Sequence, residues 1–235
     1  MTGDATPARG ELPDGLIPAT REDLGALPVE VAPRLLGGIL RVETADGVVA
    51  VRLTEVEAYH GLGTGEVADP GSHARMGPTA RNATMWGEPG HLYVYLSHGI
   101  HSCVNVVSGP EGLAGGILLR GGEVVEGTDA AFRRRPAART ARDLARGPGR
   151  LGDAVGLRHP IHDGIDVVTG AEQAGARARL FLRGEPLPEV ASGPRVGVAG
   201  VAGTAAFPWR FWIPGDETVS VFRWGRGARE AAEAG

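Results

Sequence analysis

The chain has 235 residues, 22% of them charged, and a mean hydropathy of −0.07, which is typical of a globular protein. No apolar run reaches the roughly 18 residues that a membrane helix needs, and the first residues carry no apolar signal core. One cysteine, Cys103, excludes an internal disulfide and a cysteine-cluster zinc site. These features predict a cytoplasmic protein without a membrane partner.

The basic residues are all arginine, 24 in number, and the chain contains no lysine. Lysine Schiff bases, a P-loop lysine and lysine-anchored pyridoxal phosphate are therefore excluded. The net charge of −4 argues against a general nucleic-acid binder, although it permits a local basic face.

The chain reads as one domain at 19–225 between two polar tails, a disordered one at 1–18 and a second at 226–235. The elements predicted in chain order are a short helical segment at 20–36, a hairpin around the Asp46-Gly47 turn, a helix at 78–86, a second hairpin at 92–107, a strand at 116–120, helical pieces at 124–158, and late strands at 195–200, 210–213 and 219–223. Because successive strands meet through hairpins, we expect an α+β fold with a mostly antiparallel sheet and surrounding helices.

The strand at 49–59 combines an apolar face with carboxylates. Alternation places six side chains on one face: Val49, Val51, Leu53, Glu55, Glu57 and Tyr59. A buried carboxylate is costly unless it has partners or a task, so this face indicates a site. The alternative is that the strand emerges into solvent after Leu53 and leaves both glutamates exposed.

The second hairpin carries two tyrosines on one face, Tyr93 and Tyr95. This face is either a stacking platform for a flat ligand or ordinary sheet packing with the hydroxyls at the rim. Asn105 lies in mid-strand, where asparagine is unfavourable, and a pocket wall would explain its presence.

Histidines and arginines each form a cluster along the chain. Five of the seven histidines fall between residues 60 and 101, but without zinc-binding spacing, so no metal site is expected. Seven arginines between 133 and 150 face a single aspartate, Asp143, and indicate either phosphate binding or a solvated helix face. The Gly147-Pro148 turn that opens a helix there would add free backbone N–H groups.

Several motifs occur together in a specific order. They are LTEVEAY (53–59), GSHARMGPTARNATMW (71–86), GHLYVYLSHGIHSCVNV (90–106) and GILLR (116–120), with weaker matches at 147–157 and 194–221. This chain resembles the alkyladenine (3-methyladenine) DNA glycosylases, also called methylpurine glycosylases. The resemblance implies a curved sheet, a protruding β-hairpin that inserts into DNA, and base excision without metal or organic cofactor.

The resemblance also implies a role for each matched residue. Glu57 is the general base that activates water, and Arg120 steadies the water and the nearby sugar-phosphate. The flipped base is held by Tyr59, His73, Tyr95 and Asn105, of which Asn105 discriminates against the exocyclic amine of guanine. His98 and Ile100 are the DNA-intercalating pair at the hairpin tip. The DNA backbone is expected to contact Arg75, Arg81, Gly147 and Arg150.

The resemblance predicts a monomer that acts on double-stranded DNA containing a damaged purine: 3-methyladenine, 7-methylguanine, hypoxanthine or ethenoadenine. We expect it to be associated with the nucleoid during repair. Without lysine, it should leave an intact abasic site.

One residue differs from the pattern of the family. His98 occupies the position where the family usually has a tyrosine, which fills the gap left by the flipped nucleotide. This departure suggests an alternative, a glycosylase specialised for bulky alkylation adducts. A second alternative is a non-catalytic protein that binds damaged DNA.

Overall fold

One antiparallel sheet of ten strands organises the structure, a computed structural model that describes residues 15–234. The strands are β1 (Leu16–Pro18), β2 (Ile39–Thr44), β3 (Gly47–His60), β4 (Leu92–Ser97), β5 (His101–Val106), β6 (Gly115–Glu126), β7 (Ala145–Arg146), β8 (Ala176–Arg183), β9 (Ala191–Gly193) and β10 (Arg210–Trp212). Their order is β1-β8-β2-β3-β6-β5-β4, with β7 beside β6 and with β10 between β3 and β9. This arrangement confirms the expected α+β class and single domain.

Five short α-helices surround the sheet: α1 (Arg21–Leu24), α2 (Pro28–Leu35), α3 (Thr128–Arg134), α4 (Pro148–Val155) and α5 (Ala228–Ala234). Three 3₁₀ helices lie at Ala80–Trp86, Ala141–Asp143 and Gly200–Gly203. Helix α4 begins as predicted, with Gly147 at the N-cap and Pro148 in the first turn, where the missing N–H costs nothing. Across residues 15–234, the helices are all too short or too polar to cross a membrane.

Strand β3 changes its inward face halfway along, and the predicted face was wrong for this reason. The register with β6 shifts between Leu53 and Glu55 and again before Val56. Val56 therefore continues the buried cluster that contains Leu53, while Glu55 and Glu57 turn to the opposite side. A bulge inserts one extra residue and reverses which side chains face the core. Both glutamates are nevertheless fully buried, so the alternative of exposed glutamates was also wrong.

The hairpin of β4 and β5 has the predicted alternation, because its register is regular from Leu92 opposite Val106 to Ser97 opposite His101. Leu92 and Val94 join the main core. Tyr93 belongs to a separate small cluster, against which Tyr95 packs. The two tyrosines therefore face away from the main core, as the sequence predicted.

Other predictions of local structure were wrong. Residues 16–18, expected in the disordered tail, form β1 and pair with β8, while residues 1–14 lie outside the described part. Residues 228–234, expected in a second tail, form α5, whose Ala228 is fully buried. The segments 195–200 and 219–223 are irregular rather than strands. In the first of these, Gly197 and Gly200 donate their N–H groups to carbonyls of the C-terminal segment instead of to a sheet.

The arginine cluster at 133–150 is not a single solvated face. Arg134 donates to the carbonyl of Ala154 at 3.0 Å and to the Thr44 hydroxyl at 2.7 Å. Arg146 donates to the carbonyl of Val219 at 2.9 Å. These side chains stabilise the packing of α3, α4 and the sheet, and Arg150 remains among the exposed members.

Candidate active site

A cavity of about 600 Å³ lies between the polar side of β3 and the tyrosine face of the β4–β5 hairpin. Nine of the predicted site residues line it: Glu57, Tyr59, His73, Arg75, Arg81, Tyr95, His98, Asn105 and Arg120. Ile100, Gly147 and Arg150 are not among its lining residues. The structure thus brings together most of the side chains that the sequence placed in one site. The volume lies within the roughly 300–1,000 Å³ range of small-molecule sites.

Glu57 presents a carboxylate to the cavity from a fully buried position on β3. Its Oε1 accepts the backbone N–H of Val196 at 2.6 Å, and its Oε2 accepts the hydroxyl of Tyr59 at 2.9 Å. Burial raises the pKa of Tyr59 well above its usual value, and the neighbouring Glu57 adds to the rise, so the phenol stays protonated as a donor. An ionised carboxylate has about four lone-pair sites, so these two bonds leave capacity for a water molecule.

Arg120 links Glu57 to a second buried carboxylate. Its Nη1 lies 3.6 Å from Glu57 Oε2, and its Nε lies 3.1 Å from Glu55 Oε1. Burial alone would lower the pKa of Arg120, but Glu57 and Glu55 outweigh it and raise the pKa. Glu55 Oε1 also accepts from Arg210 Nε at 2.7 Å, and its Oε2 accepts the N–H of Ser220 at 2.8 Å. Both oxygens of Glu55 are thus occupied by protein partners and hold Arg120 in place, whereas Glu57 faces the cavity.

Gly121 makes room for this buried carboxylate. It lies opposite Glu55 on β6, and a Cβ at that position would stand 3.2 Å from Glu55 Oε2 and 2.9 Å from the carbonyl of Thr218. Any larger residue would displace the Thr218 backbone and crowd the Glu55 carboxylate.

A buried guanidinium covers one face of Tyr59. The Arg195 side chain is fully buried and lies 4.4 Å from the centroid of the Tyr59 ring. Its two terminal nitrogens each donate to Asp69 at 2.7 Å, and one also donates to the carbonyl of Ala58 at 3.0 Å. This bidentate pair fixes both the ring of Tyr59 and the chain at Val196, whose N–H binds Glu57.

The opposite wall is aromatic. Tyr93 and Tyr95 stack with centroids 5.6 Å apart, and His73 meets the edge of Tyr95 at 4.5 Å and 89°. Burial raises the pKa of Tyr93 to about 12 and also raises the pKa of Tyr95. Partial burial, together with Arg81 and Arg75, lowers the pKa of His73. At neutral pH this wall therefore offers uncharged rings.

Asn105 lies on β5 directly opposite Tyr93 and has a fixed orientation. Its Nδ2 donates to the carbonyl of Tyr93 at 3.0 Å, and its side chain is 5% exposed. This bond satisfies one half of the amide and leaves the group held against the cavity wall, as the prediction of a pocket residue required.

The hairpin tip borders the cavity. His98 lines the mouth and has a positive φ of 50°, while Ile100 is 72% exposed beyond it. Pro148 brings the start of α4 to the same mouth, and a Cβ at Gly149 would contact His101 of the hairpin. The tip and the first turn of α4 are therefore neighbours, although Arg150 itself points outside the cavity lining.

The sequence did not reveal two parts of the site. One is the wall formed by Val196, Gly197, Val198 and Ala199, which we expected to be a strand. The other is the pair of Arg195 and Asp69, which lie 126 positions apart along the chain. No spacing rule joins residues so distant. The glycines at 197 and 200, both with positive φ, are the local signal for a loop rather than a strand after Arg195.

Potential metal ligands do not cluster in this structure. Within residues 15–234, no group of three or more histidine, cysteine, aspartate or glutamate side chains is arranged to hold a metal ion.

The family described as methylpurine-DNA glycosylase matches residues 23–217. A relative from Leifsonia xyli subsp. xyli is 52% identical over 207 residues, which cover 86% of this chain and 92% of the relative. One from Nocardia farcinica is 50% identical over 204 residues, 86% and 90% of the two chains. Each bears the name "Putative 3-methyladenine DNA glycosylase". The chain belongs to the methylpurine-DNA glycosylase family, and its class is that of hydrolases that remove bases from DNA.

Proposed function

We propose that this protein hydrolyses the N-glycosidic bond of alkylated or deaminated purines flipped out of duplex DNA, with water activated by Glu57. The observation that carries the proposal is a buried carboxylate that faces an aromatic cavity next to an arginine. The test is single-turnover release of one lesion base from a duplex that carries 3-methyladenine, 7-methylguanine, hypoxanthine or ethenoadenine. If none of these bases is released although the lesion duplex is bound, the protein is a damage reader rather than this enzyme.

The cavity supports recognition of an extruded base. The bond to be cut cannot be reached inside a stacked duplex, so the nucleotide must leave it. The free face of Tyr59 and the ring of Tyr95 would hold a purine between them. A purine alkylated at N3 or N7 is cationic, and such rings attract it by about 1–2 kcal/mol when water is excluded. Asn105 would reject the exocyclic amine of undamaged guanine.

In this reaction the lesion supplies the leaving group and the enzyme supplies the activated water. An alkylated base already carries positive charge and leaves without a general acid, whereas neutral hypoxanthine needs a proton. Glu57 would take a proton from water as the water attacks C1′, and its negative charge would stabilise the oxocarbenium-like transition state. Arg120, held by Glu55, would orient the water and the sugar-phosphate. Chain residues alone supply these roles.

The enzyme is expected to release the base without cutting the strand. Strand cleavage by a glycosylase through a Schiff base needs an amine, and this chain offers no lysine. Purified protein should therefore give strand breaks only after alkali or an abasic-site nuclease is added. The measurement is a denaturing gel of end-labelled lesion duplex with and without alkali. Breaks at neutral pH, together with a covalent protein–DNA adduct trapped by borohydride, would contradict the expectation.

A second candidate function, excision of bulky adducts, is favoured by the histidine at the hairpin tip. We expect the His98→Tyr variant to fill the vacated gap better, and to raise excision of small lesions relative to bulky adducts several-fold. The measurement is the ratio of single-turnover rates for ethenoadenine and for a bulky N3-alkyl purine. His91→Tyr, the same substitution away from the cavity, serves as the control. An unchanged ratio in His98→Tyr would eliminate this candidate.

We also propose that the DNA backbone contacts Arg75, Arg81, Gly147 and Arg150. His98 and Ile100 would insert into the duplex. The monomeric state, the cytoplasmic location and the association with the nucleoid also remain predictions.

A further inference from the structure

The C-terminal segment runs alongside the cavity wall. Residues after 217 lie beyond the part of the chain that the family matches. The N–H of Gly197 donates to the carbonyl of Arg223 at 2.9 Å, and the N–H of Gly200 donates to the carbonyl of Arg226 at 3.0 Å. At Gly225 the C-terminal segment lies so close to the wall segment that a Cβ would collide with the backbone of Val198. The segment 223–226 therefore borders the wall of the base cavity.

The segment is held by its two hydrogen bonds to the wall and by the helix that follows it. After it, α5 packs on the 3₁₀ helix at Gly200–Gly203, with Ala228 fully buried against Gly203. Within the segment, the ring of Trp224 meets the ring of the preceding Phe222 edge-on at 4.9 Å. The backbone of this segment is therefore tied to the wall residues, of which Gly197 and Ala199 are exposed.

Three side chains of this segment are exposed. Trp224 is 43% exposed, and Arg223 and Arg226 are exposed on either side of it. Among residues 15–234, neither arginine has an ion pair. By contrast, the next arginine, Arg229, pairs with Glu233 at 3.1 Å. The segment thus carries two arginines without an ion pair and an exposed aromatic ring next to the cavity wall.

We propose that Arg223, Trp224 and Arg226, here called the RWGR edge, form a duplex-DNA contact that flanks the base cavity. The two arginines bind backbone phosphates of the DNA next to the flipped nucleotide, and Trp224 packs against the adjoining sugar. This inference rests on the proposed function, because it needs DNA at the cavity mouth. It adds a contact outside residues 23–217, the part of the chain that the family description matches.

The phosphate contacts have a measurable signature in salt. Each phosphate neutralised by an arginine steepens the dependence of log binding constant on log salt by about 0.9. Loss of two contacts should therefore reduce the slope by about 1.8, so that binding weakens about 12-fold less between 50 and 200 mM salt. Since neither arginine lines the cavity, the rate of base release at saturating protein should stay within about twofold, a range that corresponds to about 0.4 kcal/mol of activation free energy.

The experiment compares wild type with R223A/R226A, W224A and the control R229A. Fluorescence anisotropy measures binding to a lesion duplex over a salt series, and thermal unfolding confirms that each variant is folded. We expect a shallower slope for the double variant alone, and several-fold weaker binding with an unchanged slope for W224A. A double variant with the slope of R229A would overturn the proposal, and W224A binding as tightly as wild type would overturn its aromatic part.

Failure of the proposed function would look different. In that case wild type would bind the lesion duplex without releasing a base, while the salt slopes of the variants would still report on the RWGR edge. A changed saturating rate in R223A/R226A with an unchanged slope would indicate that the segment only braces the wall, and would also overturn the proposal.

Discussion

Replacing Glu57 with glutamine is expected to slow base release by about 10²- to 10⁴-fold while leaving binding of lesion DNA intact, as general-base catalysis predicts. The substitution removes the charge and the basicity of the group that faces the cavity. The carboxamide oxygen still accepts one of the two hydrogen bonds now made by Val196 and Tyr59, so the wall stays in place. The loss should therefore appear in the chemical step.

The measurement is the single-turnover rate at saturating protein, with abasic sites revealed by alkali, alongside anisotropy binding to the same duplex. Glu123→Gln is a matched control, because Glu123 lies on the neighbouring strand β6, is exposed, and pairs with the half-buried Arg52 outside the cavity. Equal rates for wild type and Glu57→Gln would assign the general base to another residue. Loss of binding with loss of release would show instead that Glu57 supports the cavity structurally.

Replacing Arg195 with alanine should lower the free energy of unfolding by about 3–5 kcal/mol, the usual cost of removing one member of a buried ion pair. Asp69 would keep its buried charge without its bidentate partner, and the carbonyls of Ala58 and Ala202 would lose their donor. The three aromatic rings around the guanidinium, at 4.4 to 6.0 Å, would also face an empty space.

Urea unfolding measures this loss, with Arg229→Ala as the control. Arg229 forms an exposed pair four residues along a helix, which contributes about 0.3–0.5 kcal/mol. Asp69→Ala and the double variant complete a cycle, in which the double loss should be well below the sum of the single losses. A loss below about 1 kcal/mol for Arg195→Ala would mean that the ion pair contributes little to stability.

The sequence predicted those parts of the fold that depend on local order. The alternation of Tyr93, Tyr95 and Asn105 was correct because the β4–β5 hairpin has no irregularity. The face of β3 was wrong because the bulge near Glu55 arises from pairing with glycines of β6, a partner strand that alternation within β3 does not reveal. Local patterns thus predict the two hairpins, but not the register shifts between strands.

The residues of the candidate site also fall into those that the sequence predicted and those that it did not. Residues carried by the matched motifs, such as Glu57, His73 and Arg120, do line one cavity. Arg195 and Asp69 were not predicted, because their function is to join distant segments and neither lies in a periodic pattern. The wall after Arg195 was predicted as a strand from its valines, yet its N–H groups bind the C-terminal carbonyls, a tertiary contact that overrides strand propensity.

The bulge in β3 also limits which insertions and deletions the coding sequence of this strand can tolerate. Up to Leu53, the odd-numbered side chains of β3 lie in the core. After the bulge, the even-numbered side chains Val56 and Ala58 lie there instead. Deleting or inserting one codon between them would exchange the two faces for the rest of the strand. Glu57 would then enter the core and Val56 the cavity. Insertions and deletions among descendants of this gene should therefore spare that short interval and collect in the surface loops.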